Sequence, residues 1–184
     1  IITPFFAQVK TSWGINAEMA QNPGTSYFNA EYPLYLGGNG SVNFDLSLNS
    51  LLFVEVGANF SGRKYQSEIF IIDLSQLSFG GSAGLKYRFN RSLYIAGMAS
   101  VQNVLETKTL SYGVLNGTTI EEKQDKSLIS FGPGVSLGYL LYFTNNIAVD
   151  ISARYNFMFT PGGTSTGTMA TNHFIGGRLG LYFR

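Results

Sequence analysis

The chain has 184 residues, a net charge of +1 and no cysteine. That length fits a single domain covering residues 1–184. The charge gives no reason to expect a nucleic acid or other polyanion as partner, and disulfides and thiolate metal sites are excluded. Charged residues make up 12% of the chain against 45% hydrophobic, about half the charge a soluble surface ordinarily carries. No apolar run approaches the ~18 residues of a membrane helix, so a membrane-spanning form would have to be a closed barrel, because lipid cannot satisfy open sheet edges. The chain opens at Ile1 without Met, which reads as a processed or incomplete N-terminus.

Period-two alternation runs along the chain and predicts strands, not helices. The first covers residues 7–19, with Val9, Thr11, Trp13, Ile15, Ala17 and Met19 on one face and Gln8, Lys10, Ser12, Gly14, Asn16 and Glu18 on the other. A break at residues 21–40, rich in Asn, Gly and Tyr, precedes a second strand at 41–49 and a short turn. The third strand, 52–63, sets Leu52, Val54, Val56, Ala58 and Phe60 against Phe53, Glu55, Gly57, Asn59 and Ser61. Residues 62–75 keep some alternation through Ile69 and Ile71, consistent with a ribbon projecting beyond a membrane. The fourth strand spans 76–89, and Asn90, Arg91 and Ser92 form a turn. A fifth at 93–104 has less distinct faces. A long polar break follows, with Asn116-Gly117 and the charged run at 121–126.

The clearest signal lies at residues 128–159. Ile129, Phe131, Pro133, Val135, Leu137, Tyr139, Leu141 and Phe143 share one face, opposite Ser130, Gly132, Gly134, Ser136, Gly138 and Leu140. After the turn at Thr144, Asn145 and Asn146, Ile147, Val149, Ile151, Ala153, Tyr155, Phe157 and Phe159 continue the apolar face. Both arms exceed the ordinary strand length. A soluble sheet puts charge on its outer face, whereas here the polar face is small, Gly- and Ser-rich, and sparsely charged. The pattern is inside-out: lipid outside, a narrow polar interior inside. An eighth strand at 172–184 follows a Gly/Thr-rich break. Long and short connections alternate, so the expected fold is all-β: an eight-stranded antiparallel up-and-down transmembrane barrel with short turns at one end and long loops at the other. A lipocalin-like soluble barrel is the competing architecture.

The segments GLKYRFNRSLYIAG, DISARYNFMF and GGRLGLYFR resemble small eight-stranded outer-membrane barrels: the OmpA transmembrane domain, OmpX/Ail-type proteins and the porin-type "outer membrane protein beta-barrel domain" group. The resemblance covers essentially the whole chain as a pattern and carries no catalytic motif. It implies a bacterial outer-membrane location with periplasmic turns and termini and extracellular loops. Implied partners are outer-membrane lipid and lipopolysaccharide, the barrel-assembly machinery during biogenesis, and other outer-membrane proteins. The alternating C-terminal residues Leu179, Leu181 and Phe183 match the family's assembly signal, with Arg184 following the aromatic as a departure.

With the apolar faces on lipid, Lys10, Glu18, Asp45, Glu55, Lys86, Arg88, Asp150, Arg154 and Arg178 fall in the lumen. Neighbouring-strand pairs are expected: Glu55 with Lys86 or Arg88, Asp45 with Lys10, and Asp150 with Arg178. Eight strands enclose a space that side chains just fill, so this network should plug the lumen rather than form an ion path. Enzymatic readings find little support. The only His is His173, and the His-x-Ser pattern of the lipid A deacylase family is absent, because Phe174 and Ile175 follow. Glu121, Glu122 and Asp125 read as a solvated loop face rather than a Ca²⁺ site, and no cofactor is implied. Tyr27, Phe28, Tyr32 and Tyr35 in the first loop, and Ile69, Phe70 and Ile71 in the second, are candidate partner contacts. The leading expectation is a non-enzymatic structural or accessory outer-membrane barrel. The alternative is a surface adhesin or ligand-binding barrel acting through its loops, followed by a small pore.

Overall fold

The computed structural model describes residues 10–21, 34–66, 70–113, 117, 119–124, 128–161 and 170–184. These form nine strand segments: β1 Thr11–Gln21, β2 Leu34–Asp45, β3 Ser50–Gln66, β4 Phe70–Arg88, β5 Leu93–Gly113, β6 Thr119–Gln124, β7 Leu128–Tyr142, β8 Ile147–Thr160 and β9 Ala170–Phe183. Each pairs antiparallel with its neighbour, and β1 pairs with β9 from Trp13↔Phe183 to Gln21↔Ile175, which closes the sheet on itself. β7 lies along the first half of β5 and β6 along its second half. Together β6 and β7 make one wall, so the barrel has eight.

The faces settle between the two architectures. Ser12, Asn43, Glu55, Ser82, Ser136, Ser152, Arg154 and Arg178 are buried, while Trp13, Ile15, Phe79, Val135, Leu137 and Leu179 are exposed. A lipocalin-like barrel would show the reverse. On β7 the outward residues from Ile129 to Leu141 are all exposed. That stretch rises about 40 Å along the strand at ~3.3 Å per residue. A strand tilt of about 35–45° brings it to about 30 Å, the depth of a bilayer core.

Three four-residue turns, at residues 46–49, 89–92 and 143–146, crowd one end. In each, a side chain caps the backbone: Ser47 Oγ accepts from the Ser50 amide at 3.1 Å, Asn90 Oδ1 from Leu93 at 2.8 Å, and Thr144 Oγ1 from Ile147 at 3.0 Å. These are the short polar residues that favour such turns.

The opposite end departs from the sequence-based expectation. β2 starts at Leu34, seven residues before the expected 41, because Leu34–Gly40 pairs with Ile15–Gln21. The run Gly37-Gly38-Asn39-Gly40 reads as a loop, yet closing the sheet recruits it as strand. β3 and β4 continue as an unbroken ladder up to Gln66↔Ile71, the ribbon expected from the alternation at residues 62–75. β5 and β6, by contrast, pair through residues expected to be a polar loop, from Thr107↔Gln124 to Tyr112↔Thr119. Gly117, between them, takes a φ of 64°, a left-handed conformation that glycine adopts without steric cost. A register shift on β5 beside Leu77 and Ser78 marks where the β4–β5 ladder changes course. Beyond the row Gly62↔Ser75, four strands therefore rise as a twisted ribbon.

Candidate functional site

The lumen is built from every second residue of the eight walls, and the described residues divide it into a packed lower half and an upper half that holds a cavity. The lower half, near the short turns, holds Phe53, Tyr94, Ala96, Met98, Leu140, Ala148 and Tyr182 in one cluster. Tyr182 accepts a hydrogen bond from Arg88 at 2.9 Å and lies 2.5 Å from Ser12 Oγ. Lys86 sits with its ammonium 4.3 Å from the Tyr94 ring centroid, a cation–π contact in a site closed to water. Tyr94 is fully buried and donates to Asp150 at 2.7 Å.

Above this cluster runs a chain of charges. Arg178 meets Asp150 at 3.3 Å, bonds Ser152 through Nε at 3.2 Å, and pairs with the Glu55 carboxylate. The other Glu55 oxygen takes Arg154 at 2.5 Å and Ser82 at 3.0 Å. Arg154 reaches Glu18 at 3.5 Å. Glu55 on β3 and Arg154 on β8 stand on diametrically opposite walls, as do Arg88 on β4 and Tyr182 on β9. These two spans cross the lumen rather than following its wall.

Two of the three expected pairings are therefore corrected. Glu55 bonds neither Lys86 nor Arg88. Lys86 stands opposite Leu51, four residues along β3 from Glu55, or about 13 Å at ~3.3 Å per residue. Asp45 pairs with Arg184 at 3.0 Å rather than with Lys10. Lys10 is exposed below the barrel and contributes its carbonyl oxygen to the Asp45 amide instead. The Asp150–Arg178 pair is present. The barrel is narrow enough that long side chains find partners across it, which neighbouring-strand reasoning misses.

The upper half of the lumen contains a vestibule of about 90 Å³, floored by Glu55, Arg154 and Glu18 and edged by Tyr35 and Phe174. Those two rings meet edge to face at 4.7 Å. Amides on its wall sit opposite glycines. Asn39 faces Gly57 and Asn59 faces Gly37 across β2–β3, Gln102 faces Gly80 across β4–β5, and Asn156 faces Gly134 across β7–β8. A Cβ on Gly37 would lie 1.9 Å from Asn59 Oδ1, and one on Gly134 2.1 Å from Asn156 Oδ1. Gly37 and Gly134 thus leave room for the facing amide to lie back against the wall. The same pairing recurs below, with Asn16 folded over Gly180. The signal for it was in the sequence but needed the strand register to be read.

Of the candidate loop contacts, Tyr27, Phe28, Tyr32 and Ile69 lie outside the described residues. Phe70 begins β4, with its side chain likewise outside them, and Ile71 is half-buried on the same strand. Tyr35 belongs to β2 at the vestibule edge, not to a loop. Leu179, Leu181 and Phe183 all face outward on β9. Phe183 stacks on Trp13 at 4.3 Å, across the seam that closes the barrel. His173 sits among outward aromatics, 2.6 Å from the Tyr155 hydroxyl and 4.7 Å from the Phe157 ring. Among the described residues no group of three His, Cys, Asp or Glu side chains is placed to hold a metal ion.

The chain matches no protein-family model and no curated protein sequence. Solved structures do share its shape. The crystal structure of Neisserial surface protein A superposes with a TM-score of 0.53 at 15% identity, over 94% of this chain and 96% of that one. A major outer membrane protein from Thermus thermophilus superposes with a TM-score of 0.51 at 12% identity, over 95% and 99%. The chain has the fold of a small outer-membrane barrel. At these identities the likeness is one of fold alone.

Proposed function

We propose that this protein is a non-enzymatic outer-membrane barrel with a plugged lumen, serving as a structural or accessory component of the bacterial outer membrane or of a larger complex within it. The observation that carries this reading is the pair of spans across the lumen, Glu55 to Arg154 and Arg88 to Tyr182. They close the path between the vestibule and the short-turn end with groups that are mutually bonded. In this reading the short turns and both ends of the chain face the periplasm. Leu179, Leu181 and Phe183 present the assembly signal, and the apolar wall meets phospholipid and lipopolysaccharide.

The purified full chain, reconstituted in planar bilayers, is expected to give no stable openings; a steady, large conductance would sink the plug. Extraction of native membrane in mild detergent, followed by affinity purification and mass spectrometry, tests the accessory role. A stoichiometric companion protein is expected, and a lone monomer would leave a free-standing structural barrel. The second reading, a surface ligand-binding barrel, draws on the ribbon of β3–β6, which carries backbone well past the rim. It predicts that shortening the ribbon abolishes binding to a target surface while the barrel still folds.

A further inference from the structure

We infer that the vestibule is a binding site for a small neutral polyhydroxyl compound, either a free polyol or sugar or the terminal residue of a glycan. The lining sets the chemistry. Asn39, Asn59, Gln102 and Asn156 ring the space; Asn39 Oδ1 accepts from Asn16 and Gln102 Nε2 donates to Ser78, which leaves the other end of each of these two amides for a ligand, and a hydroxyl, both donor and acceptor, can meet either end. The floor charges are already paired, Arg154 with both Glu18 and Glu55, so a ligand of net charge would gain no counter-ion. Three lining atoms, Ser100 Oγ, Asn156 Oδ1 and Arg154 Nε, are buried without a hydrogen-bond partner in the protein. Arg154 itself is only 8% exposed. Buried polar groups are ordinarily satisfied, so these are unmet demands at the edge of a cavity. Tyr35 and Phe174 at the mouth supply the apolar surface on which the C–H face of a sugar rests. The volume of about 90 Å³ corresponds to about six to nine waters, enough for a four-carbon polyol or for one end of a sugar ring that stands out of the mouth. Gly37 and Gly134 keep that space open, since a side chain at either would displace the amide opposite.

The test is titration of the refolded full chain in micelles, following the side-chain amide resonances of Asn and Gln by NMR. The probes are erythritol, ribitol, a set of monosaccharides, and oligosaccharides ending in the same sugars. A ligand of this size is expected to bind at about 1 mM and to shift the vestibule amides but not Asn43, which lies below the plug. Binding of free polyols alone identifies a soluble ligand; binding of oligosaccharides through their end residue identifies a glycan. Gln102→Leu is expected to weaken binding by about tenfold or more. Ser100→Leu, which fills the space without removing a wall amide, is expected to abolish it. Folding of each variant is checked by its gel mobility before and after heating. A folded wild-type chain whose vestibule amides move with none of the probes overturns the proposal, as does binding that survives Ser100→Leu. The readout is independent of conductance, so failure here leaves the plug untouched.

Discussion

Glu55→Ala is expected to cost the barrel about 3–5 kcal/mol, the penalty for breaking a buried ion pair from one side. Glu55 is only 4% exposed and serves Arg154, Arg178 and Ser82 at once. Removing it leaves Arg154 with Glu18 alone beneath the vestibule and Arg178 with Asp150 and Ser152, while Tyr94 and Leu140 close the lumen below them. The favourable pairing energy matters less than this asymmetry, because taking charges out of water costs nearly as much as their attraction returns. Replacing Glu55 and Arg154 together with Leu and Met should therefore cost less than the single change, because Arg178 keeps Asp150 and Ser152 and Glu18 lines the vestibule. Urea unfolding in lipid vesicles measures both, with Trp13 as reporter: it is the only tryptophan and it stacks on Phe183 at the closing seam. A single-variant loss below about 1 kcal/mol, the range of exposed pairs, would mean that water enters the network freely.

Val56→Arg is the second large effect. Val56 is 65% exposed on the outer wall, at the level of the Glu55 network. In a soluble protein a substitution at so exposed a site stays within about 0.5 kcal/mol. On the lipid face near the midplane it costs about 2–4 kcal/mol. The same unfolding assay separates the two cases, and a near-neutral result would argue that this wall does not face hydrocarbon. Placing arginine at Leu48, which is 96% exposed in a turn, gives the contrast: no membrane penalty is expected there.

The outward and inward faces were legible in the sequence because lipid and lumen impose opposite demands on alternate residues. Ile129 through Leu141 and the glycines and serines between them need no neighbours to be read. The β3–β4 arm of the ribbon was legible through Ile69 and Ile71, whereas the strands at Leu34–Gly40 and in the β5–β6 arm were not. The first is dominated by glycine, and residues 107–113 and 119–124 are mostly polar, so neither shows the contrast on which the reading depends. The charged residues of the lumen were identifiable one by one, but their partners were not. Glu55 meets Arg154 through the curvature of a closed sheet, and a linear pattern contains no diameter. The amide–glycine pairs failed for a related reason: Asn59 and Gly37 acquire meaning only once β2 and β3 are in register.

The seam between β1 and β9 also bears on timing. Its ladder joins Trp13 to Phe183, the widest separation in the chain of any strand pairing. No wall of the barrel can close until the last strand is available, and every earlier intermediate presents two unpaired backbone edges, which hydrocarbon does not tolerate. Insertion must therefore wait for the whole polypeptide, or proceed with an edge shielded by another protein. Loss of β9 would not yield a smaller, weaker barrel but a chain with no membrane-compatible state at all.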